Sequence, residues 1–159
     1  MLDVADQRPH FSAAEAMQFA RAHFHIQPRT ARPLPSDRDQ NVYLEEASGT
    51  PFVLKIASAA ETAEVLDFQN QVLLHLAKSQ QVAFPQPLPS GDAYIATVTG
   101  SSRSHFIRLL TYVPGVPLAN VKPHTPQLLA QAGRFLARLD AALLAFSHPA
   151  MGRQLHWDL

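Results

Sequence analysis

Phe52-Val53-Leu54-Lys55-Ile56 is a strand-length apolar run with a lysine inside it, and an amphipathic helical pattern follows directly. A strand sends alternate side chains to opposite faces, so Lys55 occupies one face while Leu54 and Ile56 occupy the other. An ammonium taken out of water is costly unless a carboxylate, an amide or a phosphate meets it. The alternative is an edge strand whose lysine snorkels its head to water. The elements around the run therefore carry the weight of the argument.

Val42 to Glu46 and the turn-forming Ala47-Ser48-Gly49-Thr50 precede the run, and together with it they predict a β-hairpin. The helical pattern over residues 61–79 puts Val65, Phe68, Val72, Leu73 and Leu76 on one face, with Gln69 in the middle of it. A polar side chain there needs a buried partner, and Lys55 is the obvious one; a place at the helix margin is the alternative. Residues 93–98 and 105–113, separated by Gly100-Ser101-Ser102-Arg103-Ser104, predict a second antiparallel pair, making at least four strands.

Upstream, Phe11-Ser12-Ala13-Ala14-Glu15 has the form of a capping box, with Phe11 placed to staple against Ala16. It predicts a helix over 13–23 with Met17, Ala20 and Phe24 on its packed side. A polar, proline-marked stretch is expected to follow that helix, with prolines gathered over 28–35 and its end in Pro33-Leu34-Pro35-Ser36-Asp37-Arg38-Asp39-Gln40-Asn41. Downstream, Thr125-Pro126 caps a long helix whose Leu129, Ala132, Leu136, Leu139, Leu143 and Phe146 recur at threes and fours until Ser147-His148-Pro149. Strands gathered before a proline-rich joint and a helix after it predict an α+β lobe at residues 1–113, followed over 114–159 by a hinge and the start of an incomplete helical lobe.

With 159 residues and 47% apolar content the chain can bury a core, but it is too short for two complete domains. Thirteen Lys plus Arg balance thirteen Asp plus Glu, which argues against tracking a nucleic-acid backbone or an anionic membrane. The absence of Cys excludes disulfides, thiolate zinc sites and cysteine nucleophiles. Asp3 and Asp6 stand where a signal peptide would carry basic residues, and no apolar run reaches the roughly 18 residues of a membrane span, so a cytoplasmic location is expected.

The order of these elements resembles the aminoglycoside phosphotransferase and choline kinase group, small-molecule kinases with a protein-kinase-like fold. The matching segments are the turn Ser36-Asp37-Arg38-Asp39-Gln40-Asn41, the strand with Lys55, the helix with Gln69, and Arg108-Leu109-Leu110-Thr111-Tyr112-Val113-Pro114-Gly115. Within that group the narrower resemblance is to hydroxylysine-kinase-like domains, including those fused to class III aminotransferases. Leu66-Asp67-Phe68-Gln69-Asn70 and Phe146-Ser147-His148-Pro149-Ala150 carry it, along with the 36–41 turn. The resemblance covers nearly the whole chain but only the front of the family's domain.

It implies a protein-kinase-like amino-terminal lobe in which Lys55 contacts the α- and β-phosphates of ATP, with Mg2+ in the complete domain. Gln69 stands where a glutamate commonly orients that lysine, a departure that exchanges an ion pair for a hydrogen bond; Glu61, Glu64 and Asp67 are nearby substitutes, Asp67 on the opposite helical face. Ser36, Asp37, Arg38, Asp39, Gln40 and Asn41 would form a flap over the phosphates, or else a plain surface turn. The backbone of Leu110, Thr111, Tyr112 and Val113 would meet the adenine edge, or else simply end a strand.

Phosphoryl transfer also needs a base for the acceptor hydroxyl and a carboxylate for magnesium. His156-Trp157-Asp158-Leu159 mimics the family's His-x-Asp loop, yet it follows the hinge segment too closely, and the resembled pattern has a structural Trp-Asp pair there. Asp158 is thus a weak candidate catalytic residue, and this chain alone is expected to be inactive. The eight histidines are scattered without the spacing of a helical zinc pair, and no nucleophile elbow, Walker A sequence or Rossmann fingerprint is present. The implied partners are a nucleotide, a small hydroxylated amine or amino acid, and a missing carboxy-terminal lobe. The second expectation is a binding module derived from such a lobe, its apolar surface covered by self-association or a partner.

Overall fold

The computed structural model describes residues 7–78, 84–100 and 103–152; Asp3, Asp6, Ser79, Ser101, Ser102 and the segment from His156 to Leu159, Asp158 included, lie outside the described residues. In chain order the elements are α1 (Ala13–Phe24), β1 (Pro28–Leu34), β2 (Gln40–Glu46), β3 (Pro51–Ile56), α2 (Ala63–Ala77), β4 (Pro87–Leu88), β5 (Ala96–Thr99), β6 (Ser104–Thr111) and α3 (Pro126–Leu143). Short 3-10 turns lie at Leu118–Asn120 and Pro149–Gly152.

The strands form one antiparallel sheet in the order β1-β2-β3-β6-β4, with β5 also pairing to β6 beyond the end of β4. The period of two sorts its side chains. Val42, Leu44, Phe52, Leu54, Ile56, Val98, Ile107 and Leu109 are buried on one face against Phe11, Ala16, Ala20, Phe24 and Ile26 from α1 and its flanks. The other face carries Asn41, Lys55 and Arg108 side by side, because Asn41 pairs with Lys55 and Lys55 with Arg108.

α1 starts on the expected capping box: the Glu15 amide donates to Ser12 Oγ at 3.2 Å, and the Ser12 amide donates to the Glu15 carboxylate at 2.8 Å. Those bonds hold the Glu15 carboxyl below its ordinary range. Phe11, expected to staple to Ala16, lies in the same buried cluster as Ala16 and meets the Phe19 ring edge-on at 5.1 Å and the His105 ring at 5.6 Å.

The stretch over 28–35 is strand β1, a correction to its reading as a polar connection. Prolines are tolerated in a sheet at an edge, where the missing N–H would have faced outward. The Glu46 amide donates to Thr50 O on the β3 side, so residues paired with Glu46, and by alternation with Val42, turn their own amides away from β2. Pro28 pairs with Glu46 and Pro33 with Val42, and the register shift between Pro28 and Thr30 is what brings both prolines into that phase. The carbonyl of Pro28 likewise points off the sheet and accepts from Arg21 of α1 at 3.0 Å.

α2 is capped by Thr62, and its buried positions are Leu66, Asn70 and Leu76, a face rotated from the expected one. The helix has neighbours on two sides. Leu66 and Asn70 face Arg108 of the sheet, while Phe68 and His75 pack on Phe146 with ring centroids 6.1 and 5.2 Å apart. α3 has the expected Thr125 cap and first-turn proline but ends at Leu143, several residues before Ser147. None of its residues is fully buried, and Leu129 and Leu136 are 53% and 55% exposed.

Leu54→Ala, at a fully buried position, should lower stability by about 3 kcal/mol, and Ser12→Ala by about 1 kcal/mol, both read from urea denaturation.

Candidate functional site

The row Asn41, Lys55, Arg108 follows from register. Each residue is the polar member of an alternating strand, and pairing aligns the three across β2, β3 and β6. Lys55 Nζ donates to Asn41 Oδ1 at 2.8 Å. Burial pushes the lysine ammonium below its ordinary value; the Asp39 charge opposes that shift, and the Arg108 charge adds to it.

Arg108 is 3% exposed. Its Nη1 donates to Asn70 Oδ1 at 3.0 Å and to Leu66 O at 3.4 Å, and its Nη2 donates to Gln69 Oε1. All three acceptors are neutral, and all three belong to α2. Burial lowers the guanidinium pKa, against the attraction of Asp39 and then Glu61. Among the described residues no carboxylate stands within ion-pair distance of either cation.

The expected partnership of Gln69 with Lys55 is therefore corrected: the half-buried Gln69 does meet a cation, but the cation is the buried Arg108. Of the proposed substitutes, Asp67 points away from the sheet as the helical wheel requires, with Oδ2 3.3 Å from His148 Nε2. Arg108 was missed as a functional residue. Its signal was present in Phe106-Ile107-Arg108-Leu109-Leu110, which repeats the pattern of a cation inside an apolar strand.

The segment expected as a flap divides into parts. Ser36, Asp37, Arg38 and Asp39 lie between β1 and β2, and with Glu61 they line an open depression of about 270 Å3. Asp39 also accepts from the Ser58 amide at 3.1 Å. Gln40 and Asn41 belong to β2 instead. The Gln40 amide group is occupied by the Phe11 backbone, accepting at 2.8 Å and donating at 2.6 Å, while Asn41 holds Lys55.

At the other end of the same face, Tyr43 lies two residues, about 7 Å, along β2 from Asn41. The Tyr112 ring meets it edge-on at 5.1 Å, and the Arg32 guanidinium sits 4.2 Å over it. The phenol donates to Glu45, which pushes its pKa above the usual value. In the expected adenine-edge segment, Leu110 and Thr111 belong to β6, the Thr111 amide donates to Gln86 O at 2.9 Å, and the Tyr112 amide donates to Pro51 O at 3.2 Å. Two of its N–H groups are thus already engaged, and Val113 follows them at the strand's end. Asp158 lies outside the described residues.

Solved structures share the fold. An amicoumacin kinase superposes with a TM-score of 0.71 at 14% identity, covering 87% of this chain and 42% of that one. The microcompartment-associated aminopropanol kinase gives 0.70 at 18%, covering 92% and 45%. The antiparallel sheet and its packed helices thus have the kinase-like fold of small-molecule phosphotransferases. The phosphotransferase enzyme family, APH, matches residues 30–158, and the chain belongs to that family. It is 32% identical over 163 residues to hydroxylysine kinase of Mus musculus, a match covering 92% of this chain. Hydroxylysine kinase of Danio rerio is 30% identical over 162 residues, with 93% covered. The chain spans 42% and 43% of the length of these two relatives.

Gln69→Leu should leave a buried guanidinium donor unpaired and cost about 1–3 kcal/mol in denaturant unfolding. Gln71→Ala, two residues further along α2 and with only a bond to Asp67 to lose among the described residues, should stay within about 0.5 kcal/mol of the parent.

Proposed function

We propose that this chain is the nucleotide-binding portion of an ATP-dependent small-molecule kinase, with residues 1–113 as its amino-terminal lobe and 114–159 as the hinge and first part of the helical lobe. The observation that carries the proposal is the pair formed by half-buried Lys55 and buried Arg108: two cations side by side with amide partners and, among the described residues, no carboxylate within ion-pair distance. Such a pair has electrostatic room for a phosphate group. Lys55 is the donor that would reach the ligand, since the Arg108 fork is committed to α2.

The face fits the rest of a nucleotide in the same order. Tyr43, its cross-strand partner Val53 and Tyr112 would border a nucleobase, with the Val113 backbone at its edge. Ser36, Asp37, Arg38 and Asp39 border the phosphate end, and Gln69 acts through Arg108. Magnesium, when bound, would supply positive charge that offsets that of the phosphates. Among the described residues no three His, Asp or Glu groups converge to hold it, and its protein ligands, like the base for the acceptor hydroxyl, are proposed to lie outside the described residues.

The acceptor is proposed to be a hydroxyl of an amino alcohol or hydroxylated amino acid. Relatives named hydroxylysine kinase and a neighbour named aminopropanol kinase support that class. The amicoumacin kinase structure, solved with AMP-PNP and Ca2+, supports the nucleotide and a divalent cation. Lys55→Ala should reduce AMP-PNP affinity at least about tenfold by calorimetry while leaving far-UV circular dichroism unchanged; equal affinity in the variant would remove Lys55 from the mechanism.

A second reading, a non-catalytic binding module, draws on the exposure of Leu129, Leu136 and Leu144. It expects concentration-dependent association in sedimentation velocity that Leu136→Glu abolishes. A monomer at every concentration that leaves hydrophobic dyes unbound would count against it.

A further inference from the structure

In the row that carries Lys55, the residue best fixed by its neighbours is Arg108. Its guanidinium makes three hydrogen bonds, to Leu66 O, Asn70 Oδ1 and Gln69 Oε1, and these span one turn of α2. Lys55 makes none to that helix and is held from the other side by Asn41 of β2. α2 is thus tied to the sheet through β6 rather than through the lysine strand. Its outward side is tied in turn to the last turn of α3, through His75 Nε2 to Ala142 O at 2.9 Å, and to the segment after α3, through His148 Nε2 to Asp67 Oδ2 at 3.3 Å.

We propose that Arg108 is a positioning residue of the nucleotide site: its planar fork fixes helix α2 where a lysine–carboxylate ion pair would otherwise do so, and its charge keeps the field around Lys55 uncompensated and therefore selective for a polyphosphate anion. A lysine could not replace it, because a single ammonium cannot address a main-chain carbonyl and two side-chain amides in the plane of a fork. A carboxylate at position 69 would neutralise the pair and reduce the pull on a phosphate. The neutral amides satisfy the guanidinium without cancelling its charge.

The charged groups acting on the pair are Asp39, from the loop before β2, and Glu61, ahead of α2. β2 contributes neutral Asn41, with Tyr43 two residues further on, and α2 contributes neutral Gln69 and Asn70. Asp39 draws protons toward Lys55 and Arg108 repels them, so the two substitutions move the lysine titration in opposite directions.

The proposal rests on the nucleotide-site reading of Lys55, and the test separates the two by measuring the full chain first without ligand. Lys55 Nζ is titrated by heteronuclear NMR, and α2 amide exchange is followed by mass spectrometry, in the parent, Arg108→Lys, Arg108→Met and Asp39→Asn. Arg108→Met should make Lys55 titrate about half a pH unit or more higher, and Asp39→Asn should make it titrate lower. Arg108→Lys should leave the titration near that of the parent yet speed exchange over residues 66–76 by about tenfold, since charge is kept and the fork is lost. An unchanged Lys55 titration in Arg108→Met, or parent-like α2 exchange in Arg108→Lys, would overturn the proposal. If Arg108→Met does not fold, the lysine variant and Asp39→Asn decide it: a lysine titration unmoved by Asp39→Asn, or α2 exchange unmoved by Arg108→Lys, overturns it equally. AMP-PNP is then added. Absent binding with the expected titrations would sink the nucleotide reading alone, and about tenfold weaker binding to Arg108→Met than to Arg108→Lys is the result expected if both hold.

Discussion

A guanidinium taken almost wholly out of water is the constraint on which the rest of the arrangement depends. Arg108 cannot be deprotonated at any pH the fold survives, so its donors must be met where they stand. Meeting them requires the amides of Gln69 and Asn70 and the carbonyl of Leu66 to face the sheet together, and that requirement fixes the rotation of α2 about its axis. Once the helix is so turned, Phe68 and His75 must face outward. There they receive the aromatic and histidine side chains of Phe146 and His148. One buried charge thus orders three layers: sheet, helix and the segment beyond α3.

The same constraint shapes the chemistry. Two cations on adjacent strands repel each other, and folding tolerates this only because amides share the load and two carboxylates attract them from outside ion-pair distance. On the proposed reading, a site built this way would gain stability from an arriving anion beyond what its own amides supply. That differs in kind from an internal ion pair, which must be partly undone before the lysine can serve a ligand.

Local signals were legible in the sequence wherever a few neighbouring residues settle the geometry. The capping box at Ser12, the hairpin around Gly49 and the Thr125-Pro126 start of α3 are of this sort, because their hydrogen bonds close within three or four residues. β1 was not legible as a strand, since prolines argue against a strand until its place at an edge is known, and edge position depends on the partner strands. Gln69 was rightly expected to have a buried partner, but the identity of that partner depended on register across some fifty residues, which no local pattern carries. The apolar wheel of α2 misled for a related reason: it summed two contacts, one with the sheet and one with Phe146, into a single face.

The open edge of the sheet has a consequence for how the molecule meets others of its kind. A strand with unpaired outward amides is a template on which a second chain can lay its own backbone. Here the shifted register of β1 aligns Pro28 and Pro33 so that two of those donors do not exist, and Arg21 takes the Pro28 carbonyl besides. Recruitment of a further strand along this border is therefore discouraged by covalent structure rather than by charge. Association through the α3 side would have to proceed by side chains alone, a mode that can be specific and reversible where sheet extension tends to be neither.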